Sequence, residues 1–478
     1  MKTWKSLLTG ILLAALYGFC AAPLWAQQEG EEKPKPAARV LLPLPDLSGD
    51  QQDSDQGNET MQPDRGPLSG VQSATLGRSE LRHSYWVSGI EYGNTTQSSS
   101  TNLASNPGWT TTSYLNGDLS LVEASSHTTF STSYTGGGFF SNDPVQGNGK
   151  FQELAMAYEI NQRRWQALFV DEFSYLPQSA FGFGGTTGLA FPGVSGTLAV
   201  PLPQLQSVFV PGQTVLAATG PRYSNASAAQ VTYAVSRRGS ITVGAVHGLL
   251  RFIDSGNISS DNEIFNAGYN YAITRKNSLG MVYHLSTFHY PGNPQAVGDQ
   301  SIQFMYGRRI TGRLALTIAG GPDLSSFRVP VNGSKRNVSG SGVGSLFYAF
   351  RMSSIGLSYA HGVSSGSGIF TGARTDQIGV GWDRPLTRQW RGHLNFGYAR
   401  NAQIVNINGL SSPVSNSWTP AGGISRPFGG GADFSLGYQA LIQSSTSLFC
   451  GATNCGTSHT THQVQMRFQW HLAPRVLR

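Results

Sequence analysis

From about Ser84 to Leu472 apolar and polar residues alternate with a period of two, segment after segment. That period belongs to extended strands with one face on an apolar medium and the other on water. Leu115, Gly117, Leu119 and Leu121 alternate with Asn116, Asp118 and Ser120. Leu154, Met156, Tyr158 and Ile160 alternate with Glu153, Ala155, Ala157 and Glu159. Near the end, Val464, Met466, Phe468, Trp470 and Leu472 oppose Gln463, Gln465, Arg467 and Gln469. After the N-terminal region no run approaches the ~20 apolar residues of a membrane helix. Insertion into a membrane would therefore be by strands.

The links between the strands carry the stronger constraint. Eighteen strands are expected, beginning near residues 84, 111, 127, 150, 163, 225, 240, 261, 277, 298, 312, 336, 352, 372, 388, 414, 430 and 459. Sixteen is the alternative, because the boundaries of the first, sixteenth and seventeenth are weakly patterned. Short turns such as Asn161-Gln162-Arg163, Arg237-Arg238-Gly239 and Pro385-Leu386-Thr387 alternate with long Gly/Ser/Asn/Pro links. A transmembrane antiparallel β-barrel has this asymmetry, with short turns on one rim, long loops on the other and an even strand number. A soluble sandwich has no reason to alternate its link lengths. Sixteen to eighteen strands enclose an aqueous lumen, whereas eight are filled by their own side chains.

Composition agrees: 12% of residues are charged, 39% are hydrophobic and 59 of 478 are Gly. Residues 1–26 have the layout of a secretory signal peptide: Lys2 and Lys5, an apolar core from Leu7 to Ala22, and a cleavage site after Ala26. Residues 27–79 are an acidic, Pro-containing segment too polar to fold alone, expected to be a disordered periplasmic stretch. Its run Val40-Leu41-Leu42-Pro43-Leu44-Pro45 is a candidate docking peptide or pore-inserted segment. The barrel is expected over 80–478. The whole chain carries +7; residues 1–26 contribute +2 and 27–79 contribute −4, which leaves +9 from Glu80 onward.

On the alternating strands, the link rhythm and the C-terminal strand, the chain resembles bacterial outer-membrane barrels of the porin type. The resemblance is architectural and includes no family-specific motif. It implies the outer membrane of a Gram-negative bacterium, contact with its lipid, and passive diffusion of small solutes. It also implies recognition of the last strand by the barrel-assembly machinery, and a homotrimer as one possible assembly. Val464, Met466, Phe468 and Trp470 look like the recognised strand, although His471 to Arg478 run past it. In porins the loop between strands 5 and 6 often narrows the lumen. Here that link is the longest, and Phe181, Phe183, Gln204, Gln206, Phe209 and Gln213 are its constriction candidates. A lid or adhesive surface loop is the alternative reading.

Alternation assigns Asp118, Glu153, Glu159, Arg391, His393 and Arg467 to the lumen wall, a set of mixed sign. Most remaining basic residues, among them Arg163, Arg164, Arg237, Arg238, Arg275 and Lys276, sit at short turns, where they meet anionic headgroups. That spacing argues against a nucleic-acid partner despite a pI of 9.3. Trp165, Tyr158, Tyr233, Tyr271, Tyr306, Trp382, Trp390 and Trp470 read as interfacial girdles.

Cys450 and Cys455 form an even pair suited to a disulfide in an oxidising compartment. With His459 and His462 they do not make a zinc site, because those histidines are three apart on a strand and point to opposite faces. Gly362-Val363-Ser364-Ser365-Gly366 matches G-x-S-x-G but lacks the following helix that a nucleophile elbow needs. No catalytic residue, metal or cofactor is expected. The leading function is a porin-like channel; the alternative is a surface barrel acting through its outer loops.

Overall fold

The computed structural model describes residues 84–101, 108–142, 147–176, 183–184, 214–215, 221–253, 257–274, 276–331, 334–366, 368, 370–404, 414–445, 459–472 and 475–476. The expected signal peptide and acidic segment, and Cys450 and Cys455, lie outside these residues.

Eighteen long strands form one antiparallel sheet, to which the two-residue strand Arg475–Val476 adds a short pairing with Tyr85 and Trp86. They are β1 Tyr85–Thr101, β2 Trp109–Ala124, β3 Thr128–Ser141, β4 Gly149–Asn161, β5 Trp165–Leu176, β6 Arg222–Ala234, β7 Gly239–Phe252, β8 Ser260–Ala272 and β9 Asn277–His289. The second half is β10 Ala296–Arg309, β11 Leu314–Val331, β12 Ser334–Ala349, β13 Ser354–Ser364, β14 Ala373–Pro385, β15 Arg391–Gln403, β16 Val414–Gly429, β17 Ala432–Ser445 and β18 His459–His471. Each strand pairs with its neighbours in sequence, and β18 pairs back on β1 from Gly89↔His471 to Thr101↔His459. The sheet therefore closes and has no free edge, as a membrane requires. Every strand starts within three residues of its expected position. The shortest, β13, has 11 residues, enough for a tilted strand to cross a bilayer, which takes ~9–11.

Residues paired directly across strands share a face, so the register sorts the wall into two surfaces. One carries Ile90, Leu115, Leu119, Phe169, Phe304, Ile318, Tyr438 and Met466, all exposed. The other carries Asn116, Ser120, Ser133, Thr135, Thr242, Asn266, Ser286 and Gln377, all buried. Side chains diverge on the convex side of a closed sheet and converge on the concave side. The crowded polar surface is therefore the lumen, and the exposed apolar surface is the outside. Tyr158, Trp165, Tyr233, Tyr271, Tyr306, Trp382 and Trp470 all fall on the outside, near the short-turn rim. Farther from that rim the outside turns polar, with Arg251 paired to Asp261 at 2.6 Å and His361 to Asp376 at 2.6 Å.

Four of the short turns share one device. Ser236 Oγ accepts from the backbone N–H groups of Arg238 and Gly239 at 3.2 and 2.9 Å. Thr274 does the same for Lys276 and Asn277, Thr311 for Arg313 and Leu314, and Thr387 for Gln389 and Trp390. A hydroxyl thus satisfies two donors that the tight reversal leaves without strand partners.

The link rhythm departs from expectation at one place. Only residues 332–333 separate β11 from β12. The missing loop length has gone into the strands, since β11 has 18 residues and β12 has 16. Their outer ends stand clear, with Val338 74% exposed.

Candidate pore and its outer mouth

Register places all six lumen-wall candidates on the concave face. Glu159 sits at the short-turn rim, where it accepts from Asn161 and Gln166 at 2.8 and 2.5 Å. Arg391 opens β15 at the same rim, two residues before His393. Glu153 lies farther along β4, paired across from Thr135 and Ser174. Asp118 and Arg467 come together where the barrel closes.

That closure is built around two glycines. Gly89 and Gly93 of β1 face the lumen on either side of Glu91, and Gly89 is paired across from Asp118 and His471. A Cβ on Gly89 would stand 2.5 Å from both Asp118 Oδ1 and His471 Nδ1; one on Gly93 would fall inside the Tyr114 ring. The absent side chains let the Tyr114 ring lie across β1, where its hydroxyl accepts from Gln465 Nε2 at 3.1 Å. His471 approaches Asp118 at 3.5 Å, and Arg467 Nε donates to Ser435 at 3.1 Å. Glu91 is fully buried within electrostatic reach of Arg467 and Asp118.

Elsewhere the wall is stitched by neutral groups. Ser120 and Ser133 are 2.9 Å apart, Thr232 and Thr242 3.1 Å, and His284 and Asn266 2.5 Å. Ser364, the serine of the G-x-S-x-G match, contacts Thr375 at 2.7 Å, and Thr375 donates to Asn401 at 2.8 Å. It is a buried member of the wall, and among the described residues no helix follows it.

Sequence reasoning missed Glu91, Arg222, Asp299 and Asp323, which the register also turns inward. Glu91 was legible, since it stands between Ile90 and Tyr92. Asp299 was not, because its inward neighbour Val297 breaks the alternation. Along the strands, the described inward charges include Glu91, Asp118, Glu153, Glu159, Asp299, Asp323, Asp383 and Asp433 against Arg222, Arg309, Arg391 and Arg467. The wall is acidic although the barrel segment is basic.

Toward the long-loop rim the concave face becomes apolar in two patches. Tyr114, Phe139 and Phe151 pack with Leu250 and Phe252. Phe288, Tyr290, Val297, Phe327 and Val363 form the other, with Ile258 and Ile404 against it. Of the constriction candidates, Phe183 lies in a two-residue pairing, Phe183–Gly184 with Thr214–Val215. Phe181, Gln204, Gln206, Phe209 and Gln213 lie outside the described residues.

No protein-family model matches the sequence, and no curated protein does. Several solved structures are similar in overall shape. Pseudomonas aeruginosa OccK2 (OpdF) matches at 9% identity and a TM-score of 0.43, over 81% of this chain and 98% of that one. P. aeruginosa OccK5 (OpdH) matches at 10% identity and 0.42, over 85% and 100%. Acinetobacter baumannii OccAB4 matches at 7% identity and 0.43, over 82% and 100%. The barrel assignment rests on the closed strand pairing itself and not on these likenesses.

Proposed function

We propose that the protein is a porin-like channel of a Gram-negative outer membrane that passes small solutes by diffusion. The observation that carries this reading is the pairing of β18 with β1, which closes eighteen strands into one wall. A wall of that circumference is too wide for its own side chains to fill, so it encloses water. Its exposed apolar outside fits a lipid bilayer and its hydroxyl- and amide-lined inside fits a polar solute. The excess of carboxylates on the inner wall favours cations over anions. The signal-like residues 1–26, cleaved after Ala26, would deliver the chain to the periplasm. The terminal strand β18, with Met466, Phe468 and Trp470 on its outer face, is the element offered to the assembly machinery.

A second reading is a surface barrel that binds a partner through its outer loops. The two apolar patches near the long-loop rim favour it, because they narrow the lumen there. Single-channel conductance of the refolded mature protein in a planar bilayer separates the two, measured with and without residues 177–221. Steady conductance that rises on removing that loop supports a pore constricted by it. Silence in both proteins would overturn the channel and leave the surface reading.

A further inference from the structure

The outer end of the β13–β14 hairpin parts from the wall on its β12 side, while β14 stays paired with β15 up to Ala373↔Gln403. β12 pairs with β13 only as far as Gly342↔His361, whereas β13 and β14 stay paired to Ser364↔Ala373. Val363 shares its face with the outward His361. Yet it packs in one buried cluster with the lumen-facing Phe288, Val297 and Phe327. A side chain of the outer face can meet the inner face of other strands only if the hairpin end leans into the barrel.

Contacts from several elements hold it there. Ile258 N–H donates to Gly368 O at 2.8 Å, while Ile404 N–H to Gly372 O at 3.2 Å continues the β14–β15 ladder at the root of the tip. Gly372, at φ +92°, lies flat on the wall; a Cβ there would be 3.0 Å from Val297 Cγ2. Phe370 beside it is 2% exposed.

The charges beneath this tip oppose the apolar contacts. Asp299 and Asp323 are diagonal neighbours on β10 and β11, through the pairings Asp299↔Ser325 and Ser301↔Asp323. They are 3% and 1% exposed, and Ser325 donates to Asp299 at 3.2 Å. Arg374, at the root of the tip, lies within electrostatic reach of Asp299. Its Nε and Nη2 are buried without hydrogen-bond partners, and the Asp323 carboxyl lies against that of Asp299. One guanidinium thus stands near two dehydrated acidic groups that crowd each other, and its own Nε and Nη2 make no hydrogen bond to offset the desolvation. Water entering the site would relieve all three groups.

We propose that the β13–β14 tip is a gate over the outer mouth, and that Asp299 and Asp323 form the charge filter it covers. Closed, the apolar cluster holds the tip inward. Open, the mouth widens and two carboxylates face the path, which passes cations, including amine-bearing solutes, in preference to anions. This rests on the channel reading.

The test is conductance and reversal potential of the full mature chain in a planar bilayer under a KCl gradient, for the wild type and three variants. Arg374→Gln leaves the carboxylates buried without their cation, so it should raise the occupancy of the large conductance level several-fold and strengthen cation preference. Adding Asp299→Asn and Asp323→Asn should return that preference to the wild-type value or below. Replacing residues 365–372 by two glycines should give the large level outright. This last variant carries the test if Arg374→Gln does not reach the folded, heat-modifiable form on a gel. A conducting wild type whose variants match it in level and selectivity overturns the gate and leaves the channel standing. Silence in every variant overturns both, whereas a silent wild type with a conducting tip-deleted variant supports the gate.

Discussion

The outer and inner faces of the wall come from one alternating sequence but handle charge in opposite ways. On the outside, the residues between the rims are mainly apolar, among them Leu119, Val243, Phe304, Ile318 and Tyr438, and among the described residues ion pairs such as Arg251–Asp261 appear only toward the long-loop rim. On the inside, Glu91, Asp118, Asp299 and Asp323 lie at mid-wall or beneath the outer mouth. A large group of basic residues is on neither face, because Arg163, Arg164, Arg237, Arg238, Arg313 and Arg388 are exposed in the short turns. Net charge is therefore a poor guide to what the lumen attracts. The +9 of the barrel segment is a property of its rim.

The comparison breaks most readily with a charge on each face. Leu119→Arg puts a cation on the outer face at mid-strand and should destabilise the folded barrel by about 2–4 kcal/mol. Gln465→Arg, on the inner face, gives up only the hydrogen bond to Tyr114 and should cost about 1 kcal/mol. Urea unfolding in lipid vesicles reads both, and equal losses would mean that the faces have been assigned the wrong way round.

Packing at the closure comes next. Gly93→Ala drives a methyl group into the Tyr114 ring and should cost about 1–3 kcal/mol. A Gly93→Ala/Tyr114→Ala pair should lose less than the two single changes summed, because the clash goes with the ring. Additive losses in the same urea titration would remove the ring–glycine contact from the closure.

Selectivity sharpens the comparison on a finer scale. Asp118→Asn with Glu153→Gln should lower the cation-to-anion permeability ratio about twofold per charge, or ~0.4 kcal/mol, the scale of a charge seen through water. Reversal potentials in a KCl gradient measure it. The smallest effect belongs to the turns: Arg237→Ser with Arg238→Ser should leave that ratio unchanged at 1 M salt, where screening acts over ~3 Å. A shift as large as that from the wall carboxylates would make the rim, and not the wall, the selective element.

Strand count, strand starts and the two faces were legible because a period of two reports each residue's surroundings directly. Leu115 and Leu119 read as outward and Asp118 as inward without further help, and the register agrees. The turn hydroxyls Ser236, Thr274, Thr311 and Thr387 were equally open to reading, since each precedes a short basic or Gln-containing reversal. The absence of an outer loop at β11–β12 was not, because strands that run past the membrane keep alternating and hide their own ends.

What the sequence determined by itself is a closed, lipid-facing barrel, because alternation and even-numbered links are local and repeat eighteen times. What only the tertiary structure decided is where distant segments meet across the lumen. Val363 leaning onto Phe288 and Phe327, and Arg374 reaching toward Asp299, join strands far apart in the chain. Those contacts depend on the end of one hairpin parting from β12, and no periodicity records that. The Gly93–Tyr114 contact has the same origin, since a glycine in a strand shows that room exists but not which ring fills it.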